Sequence, residues 1–299
     1  MSISICDVHT DETGKDDTSY GTREFPVSCY LDDLYEMNVN LHWHKEFEFI
    51  HVTEGNVYVQ AGNKKLLLEK GSAVFINSEI LHSAQRGNRS SSVLKSVVFD
   101  SALVADFPES VFYRKYILPF KNNDFFEYRI LKDDIDWQKE IIELMDSAWN
   151  DIVNEPASFE NSARFYITQS LHVLVENIQE ELKGSVVSQK QILSSSKIKK
   201  LLEFINQNYM NEICLEQLCA LVNISESSCL RLFKDFTGKT PLQYVKLYRL
   251  EKADELLKST ELTVTEAALN CGFNDISYFI KSYRELYGKT PGFTLPGKA

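Results

Sequence analysis

The 299-residue sequence contains no run of the roughly 18 uncharged apolar residues that a membrane-spanning helix requires. Its first residues, MSISICDVHTDETGKDD, are acidic where a secretory leader would be basic and then apolar. A soluble, cytoplasmic chain without membrane contact is therefore expected. The six cysteines contain no C-x-x-C pair, and four of them fall among helical apolar positions, which leaves reduced core thiols as the plain reading. There is no G-x-S-x-G elbow, no P-loop, no Rossmann glycine fingerprint and no Cys/His pair in a nucleophile context. No covalent chemistry has its residues here, so neither catalysis nor a cofactor is expected.

What is present is a folded chain. Hydrophobic residues make up 43% and charged residues 25%, and the length exceeds the ~250 residues at which single cores usually stop growing, so two domains are expected. Charge is divided unevenly. The net charge is -11, yet from Lys190 onward 15 Lys and Arg stand against 12 Asp and Glu, a balance of +3, while the preceding residues carry 17 against 31, or -14. The asymmetry points to two tasks in one chain.

Between Phe25 and Phe99 the pattern has the two-residue period of strands. Phe47, Phe49 and His51 alternate with Glu48, Ile50 and Val52, and Val57, Val59 and Ala61 alternate with Tyr58 and Gln60. Gly62 and Asn63 then form a two-residue hairpin turn. Close strand spacing predicts an antiparallel barrel or sandwich. From about Asp133 the period becomes helical. Ile135, Ile141, Ile142, Leu144, Met145, Trp149 and Val153 form one stripe, and a second helix over about 157–182 carries Phe165, Leu171, Leu174 and Val175. These stripes pack either on the barrel or on a partner chain. The stretch GSVVSQKQILSSS predicts a linker near 184–196.

The most informative feature is an internal repeat of 50 residues. SSCLRLFKDFTGKTP, 227–241, lies over SYFIKSYRELYGKTP, 277–291, with five identities including the whole Gly-Lys-Thr-Pro ending. At about 100° per residue, Cys229, Leu232, Phe233 and Phe236 form one apolar stripe, and Phe279, Tyr283 and Leu286 its counterpart. Opposite them lie Ser227, Leu230, Arg231 and Lys234, and in the second copy Ser277, Ile280, Lys281 and Arg284. Ser225 and Asp275 are N-caps and Gly238 and Gly288 follow the C-termini. A shorter helix and a tight turn precede each, at 215–222 and 264–270. Helix, turn and exposed basic helix is the helix-turn-helix motif, twice.

Over about a hundred residues this segment resembles the paired helix-turn-helix domain of AraC/XylS-type bacterial transcription regulators. Cys219, Ser228, Ile276 and Ile280 depart from the family pattern and bear on base preference. The resemblance implies that a long helix, 241 to about 258, spaces the two motifs so that both recognition helices enter successive major grooves. About 17 residues at ~1.5 Å each give roughly 25 Å, compatible with the ~34 Å groove spacing once the motifs are added. Arg231, Lys234, Lys281 and Arg284 suit phosphates or guanine edges, while Leu230 and Ile280 suit thymine methyls. Promoter DNA, RNA polymerase, a second copy of the chain and a small effector are the implied partners, and activation the implied output.

The N-terminal segment HWHKEFEFIHVTEG sets His42, His44, Glu48 and Gly55 in the spacing H-x-H-x3-E-x6-G, with Gly71 and His82 further on. It resembles a cupin barrel, in whose metal-binding members these three histidines and the glutamate hold one ion. The second motif departs from the pattern, with Asn77 in place of Pro and Glu79 in place of Gly. That weighs against a metal and leaves His42, His44, Glu48 and His82, with Trp43 and Tyr58, as an effector pocket. Phe47 and Phe75 are further candidates for stacking on a sugar face.

The expected architecture is therefore multidomain: an acidic, mobile tail over 1–22, an all-β cupin-like sensor over 23–130, a helical dimerisation and linker segment over 131–190, and an all-α double helix-turn-helix domain over 191–299. The expected function is a transcription regulator sensing a small molecule such as a carbohydrate. The competing reading is a cupin metalloenzyme acting on a sugar-like substrate. Gly-Lys-Thr-Pro repeated 50 residues apart discriminates against it, because an enzyme has no need of that repeat.

Overall fold

Eight antiparallel strands build the N-terminal half: β1 (Val27–Asp33), β2 (Val39–His42), β3 (Phe47–Ala61), β4 (Lys64–Glu69), β5 (Ala73–Ile76), β6 (His82–Arg86), β7 (Ser92–Phe99) and β8 (Tyr128–Leu131). The computed structural model describes residues 15–294, apart from 17, 36–37, 89–90, 106, 122, 124–125 and 184–188. These residues form two compact units, one ending at Ser195 and the other starting at Ser196.

The two short alternating stretches of the sequence are one fifteen-residue strand. The first part of β3 pairs with β7 and β5, and the second part with β4 and β6, so this strand joins both layers of the barrel. It turns between layers at Gly55, whose φ is +66°, where a Cβ would lie 1.7 Å from the Ser91 carbonyl oxygen. Only glycine fits that approach. Gly62 and Asn63 make the anticipated turn, with Ala61 opposite Lys64.

Alternation sorts the side chains. Ile50, Val52, Val57 and Val59 join Val74, Ile76, Leu94 and Val98 inside the barrel. Phe47, Phe49, Phe75, Val97 and Phe99 point the other way, onto two helices, α2 (Asp136–Asn154) and α3 (Phe159–Lys183). Both helices bury one face there: Ile141, Ile142, Met145, Trp149 and Ile152 from α2, and Ala163, Ile167, Leu171 and Leu174 from α3. Ile135 and Phe165, placed on these stripes from sequence, are 39% and 60% exposed. Ile135 precedes the first helical turn, and Phe165 lies between Ala163 and Ile167 on the opposite side of α3.

Trp149 anchors α2 to the barrel, its indole N–H donating to the Tyr30 carbonyl at 3.0 Å. Trp149→Phe should cost about 1–3 kcal/mol, because it removes that donor while retaining most of the ring's burial. Urea unfolding would show this as a lower midpoint with an unchanged slope. Between β7 and α2, short helical turns including Tyr113–Ile117 and α1 (Leu118–Lys121) lead into β8, which extends the sheet next to β5.

The N-terminal tail and the linker differ from expectation. Residues 1–14 lie outside the described residues, but the tail expected to be mobile through 22 is seated from residue 15. Lys15 forms a parallel bridge with Trp43, and Asp16 and Tyr20 are buried. The expected linker is helical from Gln189: α4 (Gln189–Asn208) contains all three serines of SSS, and its Ile198, Leu201, Leu202 and Ile205 are buried. Tertiary burial of that stripe outweighs the weak helix propensity of serine.

The second unit continues with α5 (Leu215–Val222), α6 (Glu226–Thr237), α7 (Pro241–Ser259), α8 (Val264–Asn270) and α9 (Ile276–Tyr287). Thr240 and Thr263 close capping boxes with Gln243 and Glu266 at the starts of α7 and α8. α7 serves both halves. Its Tyr244 lies 6.1 Å from the Phe233 ring of the first motif, and its Leu250, Ala253 and Leu257 complete the core of the second with Ala267, Ala268, Cys271, Phe279 and Tyr283. The described cysteines, Cys29, Cys214, Cys219, Cys229 and Cys271, are free. Among the described residues no helix is long and apolar enough to cross a membrane.

Candidate functional site

Two sites emerge, one in each unit. In the helical unit, the α5–α6 and α8–α9 pairs have the anticipated helix-turn-helix form. Asn223 turns the chain after α5 with φ +51°, and Gly272 does so after α8 with φ +80°. A Cβ on Gly272 would meet the Tyr209 and Met210 carbonyl oxygens at 2.8 Å, so the second turn is held close to the end of α4. Ser225 and Asp275 cap the following helices, accepting from the Ser228 and Tyr278 amides at 3.3 and 3.0 Å. Gly238 and Gly288 end them in the left-handed conformation, at +69° and +71°.

Cys229, Leu232, Phe233 and Phe236 are buried, and Ser227, Leu230, Arg231 and Lys234 project from the opposite face of α6. On α9, Phe279 and Tyr283 are buried, and Ser277, Ile280, Lys281 and Arg284 project. Leu286, assigned to the second core stripe, is 42% exposed. Tyr287 continues that stripe instead, its ring 4.5 Å from Tyr283. Tyr278 joins this face without any signal in the repeat. It is 50% exposed beside Ser277, with the Lys246 ammonium 5.8 Å from its ring. Each exposed face thus offers a hydroxyl, an aliphatic group and two cations at matched helical positions, a chemistry suited to a phosphate-lined groove with base edges at its floor.

In the barrel unit, His42 and His82 stand directly opposite each other on β2 and β6. His44 follows two residues after His42, and Glu48 projects from β3. All four are buried, and one ligand atom from each lies within 4.8 Å of the others. The His42 and His82 ring centroids are 4.2 Å apart, those of His44 and His82 4.9 Å. One Glu48 oxygen lies 2.7 Å from His82 Nε2 and 3.4 Å from His44 Nε2.

The outer nitrogens of the rings are tied. Nδ1 of His42, His44 and His82 lies 2.8, 3.2 and 2.7 Å from the Asn40, Glu46 and Ile80 carbonyls. A carbonyl only accepts, so each Nδ1 carries the proton and donates it, and in the neutral ring Nε2 presents a lone pair. Three such nitrogens and a carboxylate converging on one point require a proton or a cation among them. Burial pushes the Glu48 carboxyl up, but the facing His82 and His44 outweigh it and hold it well below the usual carboxylate range. Burial, reinforced by the two neighbouring imidazoles, holds His42 well below its ordinary value; at His82 burial acts the same way, but Glu48 outweighs it and raises the imidazole.

The donor set fits a divalent transition metal, for which imidazole nitrogen with one carboxylate oxygen is a common environment. Carbonyl tethers on the outer nitrogens are the usual means of aiming such ligands. The two departures from the cupin pattern leave this geometry intact. Glu79 adopts φ +62°, the conformation a glycine there would supply, and its amide donates to the His44 carbonyl at 2.7 Å. The Asn77 amide group donates to the Phe120 and Phe126 carbonyls at 3.1 and 2.8 Å, fixing the turn that leads to His82.

Three of the aromatic residues assigned to the pocket, Tyr58, Phe47 and Phe75, lie elsewhere. Tyr58 sits between the inward-facing Val57 and Val59 and so faces outward, with the Lys65 ammonium 4.2 Å from its ring. Phe47 and Phe75 stack with centroids 5.7 Å apart on the helix-facing side, against Phe99 and Phe120. Trp43 is half-buried between the two histidines, with Lys15 Nζ 5.8 Å from its ring. The converse omission is Tyr20, whose ring meets His44 edge-on at 4.9 Å. No periodic signal in the acidic N-terminus marks it.

A β-barrel with a polar chamber, joined in one chain to two capped helix-turn-helix motifs, defines a regulator with a ligand-binding and a DNA-binding domain. The family described as AraC-like ligand binding domain matches residues 25–166, and that described as Helix-turn-helix domain matches 218–295. The chain belongs to the AraC family of transcriptional regulators. It is similar to the uncharacterized HTH-type transcriptional regulator YdeC of Bacillus subtilis (strain 168), at 29% identity over 94% of this chain and 95% of that one. The HTH-type transcriptional activator RhaS of Klebsiella pneumoniae (strain 342) is 26% identical over 47% of this chain and 50% of its own length. Among solved structures, a probable AraC family transcriptional regulator from Rhodopseudomonas palustris is 35% identical over 34% of this chain and 97% of that one, with a TM-score of 0.33.

Proposed function

We propose that this regulator binds promoter DNA through Ser227, Leu230, Arg231 and Lys234 on α6 and Ser277, Ile280, Lys281 and Arg284 on α9. Binding is controlled by a small molecule in the barrel chamber, and the protein acts in the cytoplasm as an activator that contacts RNA polymerase. The observation carrying this reading is that both faces repeat the same chemistry at the same helical positions, opposite the buried Cys229, Phe233 and Phe236 on α6 and Phe279 and Tyr283 on α9. A catalytic scaffold has no need of that duplication, so the chain is not an enzyme. Single-chain binding is weak and salt-sensitive, and a homodimer supplies most of the operator affinity. The effector is a small molecule rich in oxygen donors, a carbohydrate or a derivative, oriented by His42, His44, Glu48 and His82.

The reading is tested by capturing sheared genomic DNA on the purified protein, with sequencing and a salt titration of the strongest fragment. Enrichment of a few promoter fragments, with affinity falling steeply with salt, is the expected result. Uniform recovery of all fragments, with or without added sugars and metal ions, would overturn it.

A second reading of the chamber is favoured by the three tethered imidazoles. In it, His42, His44, Glu48 and His82 hold one divalent transition-metal ion, which when bound supplies a Lewis-acidic point for an oxygen-bearing effector. The chain's own residues aim the ligands and keep water from them.

A further inference from the structure

β8 is the last strand of its sheet: among the described residues it pairs with β5 alone, and no strand covers its other side. A cavity of about 570 Å³ runs there. Its walls include Tyr128 and Ile130, which pack on the inner cluster of the barrel. They also include Arg129, which points the other way, lying 5.6 Å from the Trp137 ring and donating to Glu181 at 2.8 Å. Lining by residues from both faces of one strand places the cavity on the edge of the sheet. Ile135 and Gln138 at the start of α2 and Glu181 near the end of α3 bound it on the outside.

Main-chain alternation decides what this edge presents. The Glu127 carbonyl accepts from the Asn77 amide at 3.0 Å, so Glu127, Arg129 and Leu131 turn their peptide groups toward β5, and Tyr128, Ile130 and Lys132 turn theirs outward. The Lys132 amide obeys this rule, donating away from β5 to the Gln138 side-chain oxygen at 2.7 Å. Gln138 is 5% exposed and lines the cavity, and among the described residues its side-chain nitrogen has no partner. The N–H and C=O groups of Tyr128 and Ile130 thus face a space within the ~300–1000 Å³ usual for small-molecule sites. The two ends of that space differ in charge. At the start of the strand burial pushes the Glu127 carboxyl up, with the Lys64 ammonium opposing, and among the described residues this carboxyl accepts no hydrogen bond. At the other end stand the exposed Lys132 and the Gln138 nitrogen, about 16 Å from Glu127 at ~3.3 Å per residue.

We propose that this edge is a second ligand site of the barrel unit, and that its ligand is a short peptide of about five residues, laid along β8 as an added strand with its ammonium at Glu127 and its carboxylate at Lys132 and Gln138. A peptide repeats donor and acceptor with the strand's own period, which a sugar or a simple anion does not. Main-chain bonds to Tyr128 and Ile130 supply affinity, and the charged ends set length and direction, parallel to β8. The exposed Lys64 ammonium is screened by water, so it repels the incoming ammonium less than the half-buried Glu127 attracts it. The site is separate from the chamber, whose His42, His44, Glu48 and His82 do not line it. Its occupant touches the barrel edge and the ends of both helices packed on the barrel, and so reaches α2 and α3 without entering the barrel.

The test uses the full chain and a pool of free-ended pentapeptides built from Ala, Val and Leu, with equilibrium dialysis and amide hydrogen exchange measured together. Stoichiometric binding is expected, with exchange at Tyr128 and Ile130 slowed about tenfold when the peptides stand at about ten times their dissociation constant. Glu127→Gln should weaken the free-ended pool about tenfold and leave an N-acetylated pool unchanged. Lys132→Ala should weaken the free-ended pool about threefold and leave a C-amidated pool unchanged. Absence of binding to the parent protein overturns the proposal. So does binding that leaves exchange at Tyr128 and Ile130 unaltered, or that is the same in the parent and both variants.

Discussion

Replacing Arg231 and Lys281 together with alanine should abolish operator binding while leaving the protein folded. Both side chains are exposed, one on each reading face, opposite the buried Phe233 and Phe279, so neither contributes to packing. An interaction with a guanine edge carries ~1–3 kcal/mol, and one with a phosphate is read in the salt slope. Removing both side chains should therefore cost about 2–6 kcal/mol of binding free energy, at least a 30-fold weakening. The salt dependence should also become shallower, by about one unit for each residue that touched phosphate. Fluorescence anisotropy on an enriched promoter fragment measures both effects, and an unchanged melting temperature separates them from unfolding. Retention of parental affinity would mean that these faces do not read DNA.

The second large effect belongs to the barrel. His44→Ala with His82→Ala should leave operator binding in place and abolish the response to whatever occupies the chamber, because those imidazoles face Glu48 within 3.4 Å and lie in the other unit of the chain. In the parent protein a ligand at a hundred times its dissociation constant stabilises the folded state by about 2.7 kcal/mol, and the variant should lose that melting shift entirely. Removing both partners strands the Glu48 carboxylate in a buried site, so the variant's own stability falls by about 3–5 kcal/mol. Adding Glu48→Gln removes the stranded charge and should recover part of that loss without restoring the response. A melting shift that survives in the double variant would place the sensing site outside the chamber.

The two sites differ in how far the sequence reveals them. The reading faces are legible because a helix maps position to angle with little freedom, and because the Gly-Lys-Thr-Pro repeat doubles the signal. The stripe residues from Cys229 to Tyr283 are buried as their spacing predicts, and Leu286 is the exception. Its partner Phe236 is buried, but in the second copy Tyr287 carries the larger apolar surface one position later and takes the inner place. The chamber is legible at His42, His44, Glu48 and His82, because residues two apart on extended chain face the same side and His42 falls opposite His82. Its aromatic lining is not, because which face of a strand points inward depends on neighbouring strands. Phe47, Phe75 and Tyr58 all fall on the wrong side for that reason. The burial of Asp16 and Tyr20 is least legible of all, since they sit in a polar stretch where only the folded barrel shows that a carboxylate and a phenol are buried.

Hydroxyl-radical footprinting of the purified protein on its strongest promoter fragment examines the pairing of the two motifs. Two protected windows per chain are expected, about 10–10.5 base pairs apart and on one face of the duplex, with Arg231→Ala weakening one window and Lys281→Ala the other. A single window, or two windows that fade together in either variant, would show that α6 and α9 do not read successive grooves.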